Sequence, residues 1–144
     1  MIGFNEEDDA DEFNIPRLRV SLRIRGDALD PDFLTQQLGV APSFSARKGE
    51  VTARRGRERL HTTGVWTFRL EVPPATELGE AIGHVLAALP EDATLWEEIT
   101  SSFTAELFCG VFLENDNQST VIQPDVLSAL GRRGLPLSLD LFRR

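Results

Sequence analysis

From Arg17 to Arg25 apolar and polar residues alternate without a break. Leu18, Val20, Leu22 and Ile24 fall on one side and Arg17, Arg19, Ser21, Arg23 and Arg25 on the other, which predicts a strand with one buried face. Gly26-Asp27 ends it. Asp30 is a good N-cap, Pro31 suits the first helical position and Gly39 the left-handed position after the last turn, so a short helix follows with Phe33, Leu34 and Leu38 on its apolar side. Pro42 blocks its continuation. Residues 43–48 suggest a second, short strand. Residues 49–63 are polar and arginine-rich and read as a long mobile loop or a ragged hairpin. Alternation returns at Gly64, with Trp66, Phe68, Leu70 and Val72 on one face, and Pro73-Pro74 closes that strand.

Helical periodicity takes over next. Leu78, Ile82, Val85, Leu86 and Leu89 share one stripe, Pro90 breaks the helix, and residues 91–101 make another with Leu95, Trp96 and Ile99 inward. The longest apolar strand is 104–114, with Ala105, Leu107, Cys109, Val111 and Leu113 opposite Thr104, Glu106, Phe108, Gly110, Phe112 and Glu114. Asn115-Asp116-Asn117 signals a turn, after which Thr120–Ile122 could pair back as a short strand. A helix from Pro124 carries Val126, Leu127 and Leu130. The last strand, 135–142, sets Leu135, Leu137, Leu139 and Leu141 on its core face. Each Pro-Asp helix start, at Pro31 and at Pro124, follows a long strand, a weak hint of two related halves. Strands of period two with one apolar face predict an α+β fold: a two-layer sandwich, a mostly antiparallel sheet with helices on one face, and a ferredoxin-like topology as the nearest named arrangement.

The order of several short motifs resembles the bacterial family called domain of unknown function 4279. Leu22-Arg23-Ile24-Arg25-Gly26-Asp27, Leu29-Asp30-Pro31, Leu34-Thr35, Leu38-Gly39 and Pro42 are similar to its start. Lys48-Gly49-Glu50, Gly64 and Trp66 are similar to its middle, and Leu137 to Phe142 to its final strand, where Tyr is more usual than Phe142. The resemblance spans roughly residues 17–142. It implies the fold and a bacterial origin and carries no activity or catalytic residue with it.

Composition narrows the function classes. At 144 residues the chain reads as an acidic, flexible leader over residues 1–15 and a single domain over 16–144. No run approaches the roughly 18 apolar residues of a membrane span, and the start lacks the basic and apolar regions of a secretory signal, so a cytoplasmic, bacterial-type home is expected. Cys109 is the single cysteine and sits in an apolar run, where a buried, inert thiol is expected. His61 and His84 are far apart and no ligand spacing is present, so neither metal nor cofactor is predicted. Residues 1–15 hold six acids and no base, whereas residues 16–72 hold eleven bases against six acids. The overall net charge of −8 makes nucleic acid an unfavourable partner.

The candidate chemistry lies on the sheet face turned away from the helices. Arg17, Arg19, Arg23 and Arg25, with Arg69 from the next long strand, meet Phe108 and Phe112, which lie between Glu106 and Glu114, and the last strand adds Ser138, Asp140 and Phe142. Large aromatics on an open face need cover. Two readings stand side by side: a face that binds a protein partner or a second copy, since Arg and aromatics are enriched at interface hot spots, or a structural face with phenylalanines tucked under arginine stems and Arg–carboxylate pairs along the strands. The other candidate is the basic 47–61 segment, with Arg47 and Lys48 at its base, as an anion or small-molecule site. His61 or Glu50, near Ser43, Ser45 and Thr62, would be its general base if it were catalytic. No triad can be drawn from such residues alone, so a non-enzymatic protein-binding domain is the leading expectation. Trp66 and Trp96 are expected in the core.

Overall fold

The opening alternation becomes β1 (Leu18–Gly26), the central strand of a five-stranded sheet. A computed structural model describes residues 18–143; Arg17 and the acidic leader lie outside the described residues. Along the chain follow α1 (Pro31–Leu38), β2 (Phe44–Ala46), β3 (Val51–Arg54), β4 (Arg57–Leu60), β5 (Gly64–Arg69), α2 (Leu78–Ala87), α3 (Ala93–Ser102), β6 (Thr104–Leu113), α4 (Pro124–Arg132) and β7 (Leu137–Arg143). The sheet order is β2-β5-β1-β6-β7, antiparallel except for the parallel pair β6·β7. The protein is α+β, with a mostly antiparallel sheet under one helical layer.

β5 and β6 each run antiparallel to β1 and so parallel to one another, with β1 between them. The α2–α3 connection is therefore a split crossover. A ferredoxin-like sheet interlocks two split crossovers; here the second, β6-α4-β7, joins adjacent strands, so the strand order is a different one.

Local chemistry explains the element ends. Asp30 caps α1, its carboxylate accepting from the Asp32 N–H at 3.1 Å, and Gly39 takes φ 74° after the last turn. Asp92 caps α3 through the Thr94 and Leu95 N–H groups. Residues 49–63 form the ragged hairpin rather than the mobile loop: β3 pairs with β4 across Arg55-Gly56, both at positive φ, the two-residue turn that matches strand twist. β5 stops at Arg69, short of Val72, though Leu70 and Val72 still pack on the core.

One core holds the layers together. Leu22, Ile24, Trp66 and Leu107 are wholly buried on the inner sheet face, against Leu34, Ile82, Val85, Trp96 and Ile99 from the helices. Burying each such side chain contributes roughly 1.5–3 kcal/mol. Both tryptophans lie there, and each indole N–H is satisfied: Trp66 donates to the Thr35 hydroxyl at 3.1 Å and Trp96 to the Pro90 carbonyl at 2.8 Å. Cys109 is fully buried and its thiol is pushed up to about 12 by desolvation.

Two expectations fail. Thr120–Ile122 forms no strand, because β7 occupies the open edge of β6; the segment passes beside α2, where a β-carbon on Gly79 would sit 3.0 Å from the Val121 carbonyl oxygen. The far end of β7 is also not core. Leu135 is buried and Leu137 half-buried, but Leu139 is 50% and Leu141 58% exposed. Alternation predicts the side on which these leucines project, not how far the helical layer extends along the edge strand.

An arginine and phenylalanine face on the open side of the sheet

Register sets the outer face out in rows across the strands. One row runs Phe44, Thr67, Arg23, Glu106; the next Arg69, Ser21, Phe108, Ser138; then Arg19, Gly110, Asp140; and last Phe112, Phe142. Arg19, Arg23, Arg69, Phe108 and Phe112 thus share one surface.

Gly110 organises the aromatic part. A β-carbon there would touch Phe108 at 3.6 Å and Phe142 at 3.9 Å, so both rings lean into the space that the missing side chain leaves. The Phe112 and Phe142 rings stack at 4.9 Å with 18° between their planes. Stacked rings of this kind contribute about 0.5–1.5 kcal/mol beyond their buried area. The Arg23 guanidinium lies 3.7 Å above the Phe108 ring centre, and that of Arg19 is 6.0 Å from the Phe112 ring. At a partly exposed site each such cation–π contact is worth about 0.5–1 kcal/mol. Arg25, one row away, pairs with Glu106 at 3.2 Å.

The Arg23 guanidinium therefore covers Phe108, in line with the structural reading, while that of Arg19 only borders Phe112. They do not cover the edge: Phe142 is 41% exposed, beside Leu139 and Leu141 on the other side of the same strand. Ser21 sits between Arg69 and Phe108, wholly buried, and its hydroxyl meets no hydrogen-bond partner among the described residues. Ser21→Ala should therefore be neutral or stabilise the protein by up to about 1 kcal/mol, since it removes an unsatisfied buried group. A urea midpoint that falls instead would show that the hydroxyl is held in place.

The structure separates Arg47 and Lys48 from this face. Arg47 bridges Asp30 at 2.9 Å and Asp32 at 3.1 Å, and Lys48 pairs with Asp27 at 3.1 Å. These contacts clamp the base of the β3–β4 hairpin to the turn before α1. The hydrogen bond and charge of Lys48, with a bond from Thr63, hold the Asp27 carboxyl below its usual range. Glu50 accepts the Arg47 backbone N–H at 2.9 Å. His61 is buried, its ring 5.5 Å from that of Phe44 and its Nε2 2.8 Å from the Thr52 hydroxyl. Desolvation, then the charge of Arg59, lowers the His61 pKa, while Glu50 opposes the shift. Ser43 exchanges hydrogen bonds with the backbone of Arg69. His61, Glu50 and Ser43 are thus engaged in local packing and turn structure.

Charge is biased between the layers, although the sheet face also carries Glu106 and Asp140 and α4 carries Arg132. Glu77, Glu80, Glu91, Asp92, Glu97 and Glu98 are all exposed on or beside α2 and α3, whereas β1 and β5 turn Arg19, Arg23, Arg25 and Arg69 to the opposite side. The net charge of −8 therefore conceals a basic, aromatic sheet face. Sequence reasoning found its arginines and phenylalanines but missed the part of Gly110, although Phe108-Cys109-Gly110-Val111-Phe112 places a glycine between two same-face aromatics. It also missed Arg133, a buried cation on the helical side. Among the described residues, no group of three or more His, Cys, Asp or Glu is placed to hold a metal, and no helix is long and apolar enough to cross a membrane.

Fold and site together define a class: an α+β domain with an acidic helical layer on one side of its sheet and an arginine–phenylalanine surface on the other. Residues 16–142 match the family model described as Domain of unknown function (DUF4279), and the chain belongs to that family. No curated protein and no solved structure matches it.

Proposed function

We propose that this is a non-enzymatic, cytoplasmic protein-binding domain of bacterial origin, and that its Arg/Phe sheet face docks a partner surface carrying carboxylates around an apolar residue. The observation that carries the reading is the Phe112–Phe142 stack, half open to solvent at the sheet edge and bordered by Arg19. Interface hot spots are built this way: an aromatic anchor supplies area and neighbouring guanidinium groups select carboxylates. The acidic helical layer would steer such a partner toward the sheet side. The alternative is an anion or small-molecule site at residues 47–61, where Arg47 and Lys48 pair with carboxylates but, among the described residues, no stacked aromatic pair like Phe112–Phe142 supplies an apolar anchor. Nucleic acid is disfavoured by the same acidic layer.

Placing a photo-crosslinking amino acid at position 142, and separately at Glu97 on α3, tests the proposal in cells. The expected result is a discrete crosslinked species from position 142 only, a heterocomplex or a dimer of this chain, that fades when Arg23→Gln is added. Equal crosslinking from both positions, or none from position 142, overturns it.

A further inference from the structure

β7 is the long edge of the sheet, and among the described residues no strand pairs with its outer side. The opposite edge, β2, has three residues, whereas β7 has seven with neither proline nor lysine among them. Edges are commonly protected by shortness, proline or lysine, because a row of unpaired N–H and C=O groups is a template for another strand. The charges of β7 give little protection: Asp140 belongs to the open sheet face and Arg143 pairs with Asp116. Parity identifies the unpaired groups. The Leu107 N–H donates to the Pro136 carbonyl at 2.9 Å. Alternate residues of a strand turn their backbone groups to the same neighbour, so Pro136, Ser138, Asp140 and Phe142 face β6. Leu137, Leu139 and Leu141 then direct N–H and C=O to the open side. Leu139 and Leu141 are also half-exposed on the helical side, where they prolong the rows of Cys109 and Val111, and Phe142 is open on the other side. The edge is thus unpaired along its backbone and apolar on both faces.

We propose that β7 pairs with β7 of a second copy of this chain, antiparallel about a two-fold axis at Leu139, joining two five-stranded sheets into one. A two-fold interface must complement itself, and Leu137-Ser138-Leu139-Asp140-Leu141 does: polarity alternates alike in both directions from Leu139. On this register Leu139 meets the partner's Leu139, and Leu137 meets the partner's Leu141. Their backbone groups face outward, so these are hydrogen-bonded pairs that exchange both N–H···O bonds. Ser138 and the partner's Asp140 fall in the intervening pairs, where side chains approach most closely, and the hydroxyl donates to the carboxylate on both sides of the axis. Charge excludes the neighbouring registers. An axis at Asp140 sets two carboxylates opposite one another, and an axis at Leu141 sets Asp140 against the partner's Phe142 and Leu139 against the partner's Arg143. The chosen register also covers the two leucines that the helical layer leaves open. The inference uses the strand edge and none of the arginines of the open face, so it stands or fails apart from the proposed function.

The test uses the full chain. Sedimentation equilibrium should show a concentration-dependent dimer, and the Leu139 and Leu141 amides should exchange at least about tenfold more slowly in it, since hydrogen bonding replaces contact with water. Under oxidation Leu139→Cys should give a covalent dimer, because Cα atoms of a hydrogen-bonded pair lie about 5.5 Å apart, within disulfide reach. Leu141→Cys should not, because the two copies of residue 141 are offset by roughly 14 Å along the strands. Cys109 does not compete, being fully buried with its thiol pushed up to about 12. Ser138→Asp places carboxylates opposite one another on both sides of the axis and should raise the dimer Kd at least about tenfold. Adding Asp140→Ser restores a serine opposite an aspartate and should restore the Kd. A chain that stays monomeric at about 100 μM, where a Kd in the micromolar range would fill the dimer, overturns the inference. So does crosslinking through Leu141→Cys instead of Leu139→Cys, a double variant no better than Ser138→Asp, or edge amides that are protected only when a different protein is added.

Discussion

Arg133→Met should cost about 3 kcal/mol and lower the melting temperature by roughly 10 °C, although Arg133 touches nothing on the sheet face. Arg133 is the buried cation of the helical layer, 4% exposed. Its guanidinium donates to the Ala129 carbonyl at 3.0 Å, to Leu86 at 3.3 Å and to Leu89 at 3.5 Å, and lies 5.9 Å from the Trp96 ring centre. Leu86 lies in the last turn of α2 and Leu89 just past its end, where the carbonyls carry the negative end of the helix dipole; the Leu86 carbonyl also accepts the Leu89 N–H at 3.1 Å. One side chain at the end of α4 thus adds donors to carbonyls at and just past the end of α2 and ties the two helices together. Burial lowers the Arg133 pKa from its usual value, with Glu91 working against that shift, but arginine remains charged at neutral pH. Methionine would preserve much of the packing volume while removing these charged donors; the Leu86 carbonyl keeps the Leu89 N–H, and each carbonyl left with no other donor costs about 1–3 kcal/mol. Arg133→Lys should recover only part of the loss, because one ammonium cannot span both helix ends as the guanidinium fork does. Urea denaturation of the three proteins checks this; a cost below about 1 kcal/mol for Arg133→Met would mean water or neighbouring donors replace the bonds.

Residues that act through their nearest neighbours in the chain were legible. The alternation of Leu18 to Ile24 fixes which side of β1 is buried, and Asp30, Pro31 and Gly39 bound α1 by local hydrogen bonding and backbone preference. The outer face followed from the same parity, which is why Arg19, Arg23, Arg69, Phe108 and Phe112 do share a surface. Interactions between distant segments were not legible. Arg132-Arg133-Gly134 reads as a solvated helix end, and nothing local says that the second arginine turns inward to the carbonyls of α2. Arg47 and Lys48 read as free cations until folding brings Asp27, Asp30 and Asp32 beside them. The exposure of Leu139 and Leu141 depends on where the helices end over the sheet, a tertiary quantity that strand periodicity cannot encode. The site was therefore half legible: its membership came from parity, and its separation from the hairpin clamp came only from the fold.

Gly64→Ala should cost about 2–3 kcal/mol, and Gly64→Val more, because the added carbon meets backbone rather than a side chain that can swing away. Gly64 is buried at the start of β5, opposite Gly26 at the end of β1. A β-carbon at residue 64 would lie 2.7 Å from the Gly26 carbonyl oxygen and 3.0 Å from the Leu29 β-carbon. The same carbonyl accepts the Leu29 N–H at 3.2 Å, and Leu29 is 3% exposed. Relief therefore requires β1 and β5 to part at the turn that presents Asp27 to Lys48 and Asp30 to Arg47, so the hairpin clamp should loosen with it. Gly131→Ala is the matched control. Gly131 lies in α4 and a β-carbon there meets nothing within 4 Å, so the change should stabilise by up to about 1 kcal/mol through helix propensity alone. Thermal melts of the two alanine variants should move in opposite directions, and amide exchange should speed at Asp27 to Lys48 in Gly64→Ala only. Parallel shifts of the two melts would mean that the turn yields and that the Gly26–Gly64 contact does not hold it.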